Sequence, residues 1–208
     1  MIRKPDTCMI GCLLLAAGYS SRFHGNKLTA ELQGKMLIEY PLSLIRQLEK
    51  SDPQIEAAAV AAAPEIVGVC RDYRVRCILY EGGLQSDSIR VGLDQLQTEQ
   101  WAGCMFLTGD QPMVSQKSLQ HLIQDFRADP LHIYRLSWRG QPGNPVIFPA
   151  EYFPDLRSLT GDTGGRQIIQ NKKAAVRLTE AEDALELTDI DTEKDLKDLK
   201  EQLKRRTP

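Results

Sequence analysis

Apolar runs of strand length alternate with segments whose apolar residues recur at helical spacing, as far as Asp129-Pro130. The runs 9–16, 55–62, 75–80 and 103–108 are short and apolar on both faces, as strands of a parallel sheet covered on each side must be. Between the first two, Leu37, Pro41, Leu42, Leu44, Ile45 and Leu48 fall on one helical face, with Pro41 tolerable only in a first turn. Segments 65–72, 88–96 and 115–126 also read as helices. Strand and helix in repeated alternation predict an α/β fold, a three-layer sandwich around a mostly parallel, Rossmann-like sheet.

Beyond Asp129-Pro130 the alternation loosens. Two further strands, 132–138 and 145–148, flank Arg139-Gly140-Gln141-Pro142-Gly143-Asn144-Pro145, a stretch dense in loop formers, and suggest a strand pair lying over the sheet. A second loop, Thr160-Gly161-Asp162-Thr163-Gly164-Gly165, leads into a short helix over 166–171. The charged tail 192–206 places Leu196, Leu199 and Leu203 on one side and is expected to dock as a helix. No linker, repeat or low-complexity stretch divides residues 1–208, so one domain is expected.

Charge narrows the choice of partners. With 26 Lys and Arg against 28 Asp and Glu, the formal charge is −2, which lacks the basic excess that counterion release exploits in nucleic-acid binding. Five cysteines, with no CxxC pair, point to reduced thiols in a cytoplasmic protein rather than to metal ligation. Arg3 and Lys4 precede Met9-Ile10-Gly11-Cys12, loosely like a lipoprotein processing site. The apolar run Leu13 to Ala17, however, follows that cysteine instead of preceding it and is too short to span a membrane. It reads as a buried first strand, with no membrane partner.

The most informative segment runs Leu14-Leu15-Ala16-Ala17-Gly18-Tyr19-Ser20-Ser21-Arg22-Phe23-His24-Gly25-Asn26-Lys27. Small residues at the carboxyl end of a strand let backbone N–H groups approach a ligand, and open α/β sheets bind ligands at that edge. Arg22 would add a planar fork and Lys27 a mobile point charge, which together suit a polyphosphate. The segment is neither GxxxxGK[ST] nor GxGxxG. Further on, Thr108-Gly109-Asp110-Gln111-Pro112 puts a carboxylate at the end of another strand, where it can hold Mg²⁺; alternatively Asp110 caps the turn before the next helix. In Gly82-Gly83-Leu84-Gln85-Ser86-Asp87-Ser88, the last two side chains equally suit N-terminal helix caps.

These motifs, in this order, resemble the MocA-like molybdenum cofactor cytidylyltransferases. Leu15 to Lys27 resemble the family's LAAGxSSRxGxxK, except that His24 stands where a glycine is usual. Residues 108–112 resemble its GDQP, Gly143-Asn144-Pro145-Val146-Ile147-Phe148 its GxPxLF, and Leu159 to Arg166 its LxGDxGxR. Asp189-Ile190-Asp191-Thr192-Glu193-Lys194-Asp195-Leu196 resembles DIDTPEDL, with Glu193-Lys194 replacing Pro-Glu.

The resemblance implies a nucleotide-diphospho-sugar transferase type of sheet, with a nucleotide half over about 9–112 and an acceptor half over about 113–192. It implies that Leu15, Ala16, Ala17, Gly18, Ser20, Ser21, Lys27, Gly83, Asp87 and Ser88 bind the nucleotide and that Arg22, Lys27 and Asp110 carry catalysis. Asn144, Gly161, Asp162, Gly164 and Arg166 would face the acceptor. Asp110 with Asp189 or Asp191 would hold Mg²⁺, although Asp191 could instead cap the last helix.

The implied reaction transfers CMP from CTP to the terminal phosphate of molybdenum-bearing molybdopterin, with a molybdenum hydroxylase apoenzyme as possible client. Two rivals stand beside it: a related nucleotidyltransferase using GTP or another phosphorylated acceptor such as methylerythritol phosphate, which the Leu159 to Arg166 loop leans away from, and a non-catalytic cofactor-delivery protein. Guanylyl relatives commonly show LAGG where this chain has Leu15-Ala16-Ala17-Gly18, which leans away from GTP. A non-catalytic delivery protein would have no need of Arg22, Lys27 and Asp110 together.

Overall fold

The computed structural model describes residues 9–18, 23, 25–80, 84–161 and 164–206. Strand β1 (Met9–Ala16) is followed by a small hairpin, β2 (Glu31–Leu32) and β3 (Lys35–Met36), and by helix α1 (Glu39–Ser51). Then β4 (Ile55–Ala61), α2 (Pro64–Asp72), β5 (Arg76–Leu79), α3 (Gln85–Gln95), β6 (Trp101–Thr108) and α4 (Gln116–Ala128) complete the predicted alternation. The remainder comprises β7 (Ile133–Trp138), β8 (Gln141–Pro149), α5 (Phe153–Arg157), α6 (Arg166–Asn171), β9 (Val176–Glu180) and α7 (Glu193–Arg206).

Among the described residues the main sheet has seven strands in the order β5-β4-β1-β6-β8-β7-β9. Its neighbours pair in parallel except where β8 meets β6 and β7. Successive strand residues point to opposite faces, and the core divides on that period. Ile10, Cys12 and Leu14 join the cluster containing α1, α2 and α4 residues, whereas Leu13 and Leu15 join the one containing α3, α5 and α6 residues. This is the expected three-layer α/β sandwich. A Cβ on Gly11 would run into the Trp101 ring, so that glycine lets the buried indole lie against β1.

The strand pair is placed differently from expectation. β7 and β8 extend the main sheet, with Gly103 opposite Pro149 and Phe106 opposite Val146, and do not lie over it. Val146, Ile147 and Phe148 are all buried, a pattern that fits a strand covered on both faces. Only Arg139 and Gly140, with φ of 49° and 75°, form the turn, as a two-residue hairpin loop with positive φ allows. The two prolines read as loop formers fall at or beside the register shift between β7 and β8, where ladder donors are dispensable. β9 lies at the sheet edge with a mostly exposed face, so it carries no apolar run from which a strand could be recognised.

The C-terminal helix docks as expected. Leu196 and Leu199 pack with Leu32, Leu37, Leu185 and Ile190. Its cap is Thr192, not Asp191: the Asp195 carboxylate accepts from the Thr192 N–H at 2.8 Å, and the Asp195 N–H donates to the Thr192 hydroxyl at 3.2 Å. This reciprocal arrangement is a capping box. Thr192→Ala is expected to lower stability by about 1 kcal/mol, read as a shift in denaturant midpoint without a change in slope. An unchanged midpoint would mean that the cap contributes nothing.

Candidate active site

The carboxyl ends of β1 and β6 lie side by side. Leu15 is in register with Thr108, and the Gly109 N–H donates to the Leu15 carbonyl at 3.0 Å, carrying the pairing past the strand end. Lys27 approaches this edge from a short 3₁₀ turn, Lys27–Thr29, whose cap Asn26 accepts from the Leu28 N–H at 3.1 Å. The turn is tied to the start of α1 by Ile38 N–H donating to the Leu28 carbonyl, 3.1 Å. From the other side, Ile190 N–H donates to the Asp110 carbonyl at 3.0 Å, which sets the Asp189-Ile190-Asp191 segment against the end of β6.

The Lys27 ammonium donates to Asp110 at 2.6 Å and to Asp191 at 3.0 Å. Burial works against its charge, but the two carboxylates more than compensate, and its pKa stands above the ordinary lysine value. Asp189 completes the group. Desolvation, then the Asp110 and Asp191 carboxylates, push its pKa up from 3.8 to about 6, against the opposing pull of Lys27 and a hydrogen bond with Gln111. Asp189 is nonetheless open to solvent by surface area, which screens the effect.

The sign of the resulting pH dependence follows. A carboxylate whose folded pKa is raised withdraws stability as pH climbs from 3.8 through about 6. In metal-free protein, Asp189→Asn is therefore expected to be more stable than wild type at pH 7, by about 1 kcal/mol at most, with the gap closing at pH 4. Thermal unfolding at the two pH values checks this. A gap that widens toward acid would be the wrong sign.

Leu15, Ala16, Ala17, Gly18, Lys27 and Ser88 line a cavity of about 140 Å³ together with Gln85, Thr108, Gly109 and Asp110. Six of the expected nucleotide residues are thus brought together at the strand edge. Asp87 is not among them. Its carboxylate accepts from Arg90 at 3.0 Å, a contact that, with a hydrogen bond from Tyr80, holds it below the usual carboxylate range. Nor do Asp87 and Ser88 cap α3, which starts at Gln85 behind Leu84; the Ser88 hydroxyl lies inside the first turn and donates to the Leu84 carbonyl, 3.2 Å. Asp110 likewise caps nothing, since Ser115 caps α4 by accepting from the Ser118 N–H. Ser20, Ser21, Arg22, Gly83 and Asp162 lie outside the described residues.

A second cavity of about 610 Å³ shares Leu15, Gln85 and Thr108 with the first. Asn144 and Arg166, both expected to face an acceptor, line it beside Phe106, Val146 and Phe148. Gly165 also lines it, and a Cβ there would press into the Phe148 ring. Gly164 has a φ of 52°, and the Gln85 side chain lies where its Cβ would go. Gly161, with a φ of 75°, forms a bend in open space and is not part of the lining. Gln85 and Thr108 stood inside quoted motifs without a role assigned to them, and Arg135 stood in none. Arg135 did leave one signal, a lone charge in the middle of an apolar strand.

A hard divalent cation fits the oxygen-rich end of the site. Among the described residues Asp110 Oδ1 and Gln111 Oε1 are buried without a hydrogen-bond partner, and both are hard oxygen donors. No three His, Cys, Asp or Glu side chains among the described residues form a ready cage. Mg²⁺ needs none, since it commonly takes one or two carboxylates and completes its shell with phosphates and water. Among the described residues no helix is long and apolar enough to cross a membrane.

The family model for the MobA-like NTP transferase domain matches residues 12–178. The purine catabolism protein PucB of Bacillus subtilis is 28% identical over 189 residues, 86% of this chain and 90% of PucB. Among solved structures, Rv0371c of Mycobacterium tuberculosis superposes with a TM-score of 0.77 at 23% identity, covering 93% of this chain and 98% of that one. A nucleotidyl transferase from Methanothermobacter superposes with a TM-score of 0.77 at 21% identity, covering 96% of this chain and 99% of that one.

Proposed function

Because the chain belongs to the MobA-like NTP transferase family, we propose that it transfers CMP from CTP to the terminal phosphate of molybdenum-bearing molybdopterin, releasing pyrophosphate. The observation that carries this reading is Lys27, bonded to Asp110 and Asp191 beside a small-residue strand end, with the larger Asn144 and Arg166 cavity next to it. In this account residues 1–208 act as one transferase domain, in which β1 to β6 supply the nucleotide side and β7 onward the acceptor side.

An acceptor phosphate oxygen attacks the α-phosphorus of CTP, the new P–O bond forms, and the bond from the α-phosphorus to the bridging oxygen breaks as pyrophosphate departs. The attacking oxygen is already an anion, so no general base is required. Catalysis then rests on positioning and on charge stabilisation. Backbone groups of Leu15 to Gly18 receive the nucleotide, as small residues permit. Lys27 stabilises charge on the transferred and departing phosphates, joined by Arg22, which the motif alone assigns. Asp110 with Asp189 or Asp191 would hold Mg²⁺, which when bound neutralises triphosphate charge. Rv0371c has been solved in complex with manganese, which supports a divalent-cation site here. The likeness to PucB favours a client molybdoenzyme in purine catabolism.

Thermal stability in the presence of Mg²⁺ with CTP, GTP or ATP tests the nucleotide, because a ligand that binds only the native state raises stability by mass action. CTP should raise the melting temperature most. A larger rise with GTP would overturn the assignment in favour of a guanylyltransferase.

A further inference from the structure

The larger cavity carries a charge imbalance. Among the described residues its lining holds two guanidinium groups, Arg135 and Arg166, and neither Asp nor Glu. Arg135 projects from the middle of β7, between residues that are buried on both sides of it in sequence: Ile133, Tyr134, Leu136 and Ser137. Its Nε donates to the Gly143 carbonyl at 3.2 Å, which fixes the stem of the guanidinium. Burial, and after it the charge of Arg166, lower the Arg135 pKa from the ordinary arginine value, so the two groups oppose each other electrostatically. Among the described residues neither is in an ion pair. Arg157, by contrast, reaches Asp94 at 2.8 Å, and Arg127 reaches Asp52 at 2.6 Å.

Two like charges at an apolar-walled cavity are unfavourable until an anion joins them. We propose that Arg135 and Arg166 form a two-guanidinium clamp for a phosphate monoester dianion, with Arg135 as a specificity-determining residue of the acceptor site. A dianion neutralises both groups and offers oxygens to two planar forks, whereas a carboxylate leaves one charge uncompensated. The buried Phe106, Val146 and Phe148 side chains beside the clamp exclude water and strengthen the attraction. That the phosphate belongs to the acceptor rests on the nucleotidyl-transfer reading. The anion site itself does not.

The test uses the full chain and inorganic phosphate as probe, read by thermal unfolding against acetate and chloride at equal ionic strength. Phosphate should raise the melting temperature of wild type, and acetate should not. Arg135→Gln should weaken apparent phosphate affinity at least tenfold, and Arg135→Lys, which keeps charge but not the fork, by less. Lys27→Ala should retain the response, which separates this site from phosphate bound at the nucleotide edge. If Arg135→Gln does not fold, the Arg135→Lys loss decides in its place. A phosphate response equal to wild type in the Arg135 variants, or none in wild type, overturns the clamp. A response that depends on Arg135 while no nucleotide stabilises wild type would leave the clamp standing and remove the transferase reading instead.

Discussion

Lys27→Ala is expected to lower turnover by at least two orders of magnitude while the protein still folds. The ammonium lies 2.6 Å from Asp110 and 3.0 Å from Asp191, so the backbone of the site already aims it at the end of β6. A preorganised donor that meets developing phosphate charge is worth about 2.7–4 kcal/mol, or roughly 10²–10³ in rate. Removing it has a second effect. Asp110, Asp189 and Asp191 lose the cation that separates them, so the metal-free variant should be less stable than wild type near neutral pH and recover as acid protonates Asp189. Circular dichroism with a pH series of melting temperatures checks the fold, and pyrophosphate release checks turnover. Near-normal turnover would remove Lys27 from the mechanism.

Asp110→Ala is the second large effect, again a loss of at least about two orders of magnitude in turnover. Its position is fixed on both sides by main chain: Gly109 is bonded to Leu15, and the Asp110 carbonyl accepts from Ile190. One carboxylate oxygen is bonded to Lys27, and the other is buried without a partner among the described residues. An oxygen so placed is poised for a cation or a donor that arrives with substrate. Asp110→Asn, which preserves shape, should be nearly as inactive as Asp110→Ala, because charge and not volume is what the position supplies. An asparagine variant close to wild type would show that the carboxylate serves only to hold Lys27.

Much of the fold was legible in the alternation of apolar runs and helical stripes. The parallel strands β1, β4 and β6 are buried on both faces or nearly so, and such strands announce themselves as continuous apolar runs, whereas β5, at the sheet edge, leaves Arg76 and Leu79 exposed. The β7-β8 hairpin was found but misplaced, because Pro142, Gly143 and Pro145 at the start of β8 read locally as loop, while sheet pairing decides their conformation. β9 was invisible because an edge strand with polar outward residues has no apolar signature.

The same distinction governs the candidate site. Residues carried by a motif at a strand end, Leu15 to Gly18, Lys27 and Asp110, could be named from sequence, and the fold brings them into one cavity. The capping reading of Asp191 failed, because Thr192 and Asp195 satisfy the helix terminus between them and leave Asp191 to Lys27. Arg135 lies far from Arg166 in sequence, and only pairing of β7 into the sheet carries it to the same cavity.

The central claim, cytidylyl transfer to a phosphorylated pterin, is tested most directly with CTP labelled at the α-phosphate, Mg²⁺ and molybdenum-bearing molybdopterin. Label should appear on the pterin, with one pyrophosphate released for each transfer and far less label from GTP or ATP. Preferential transfer from GTP, or pterin bound without label and without pyrophosphate, would contradict it.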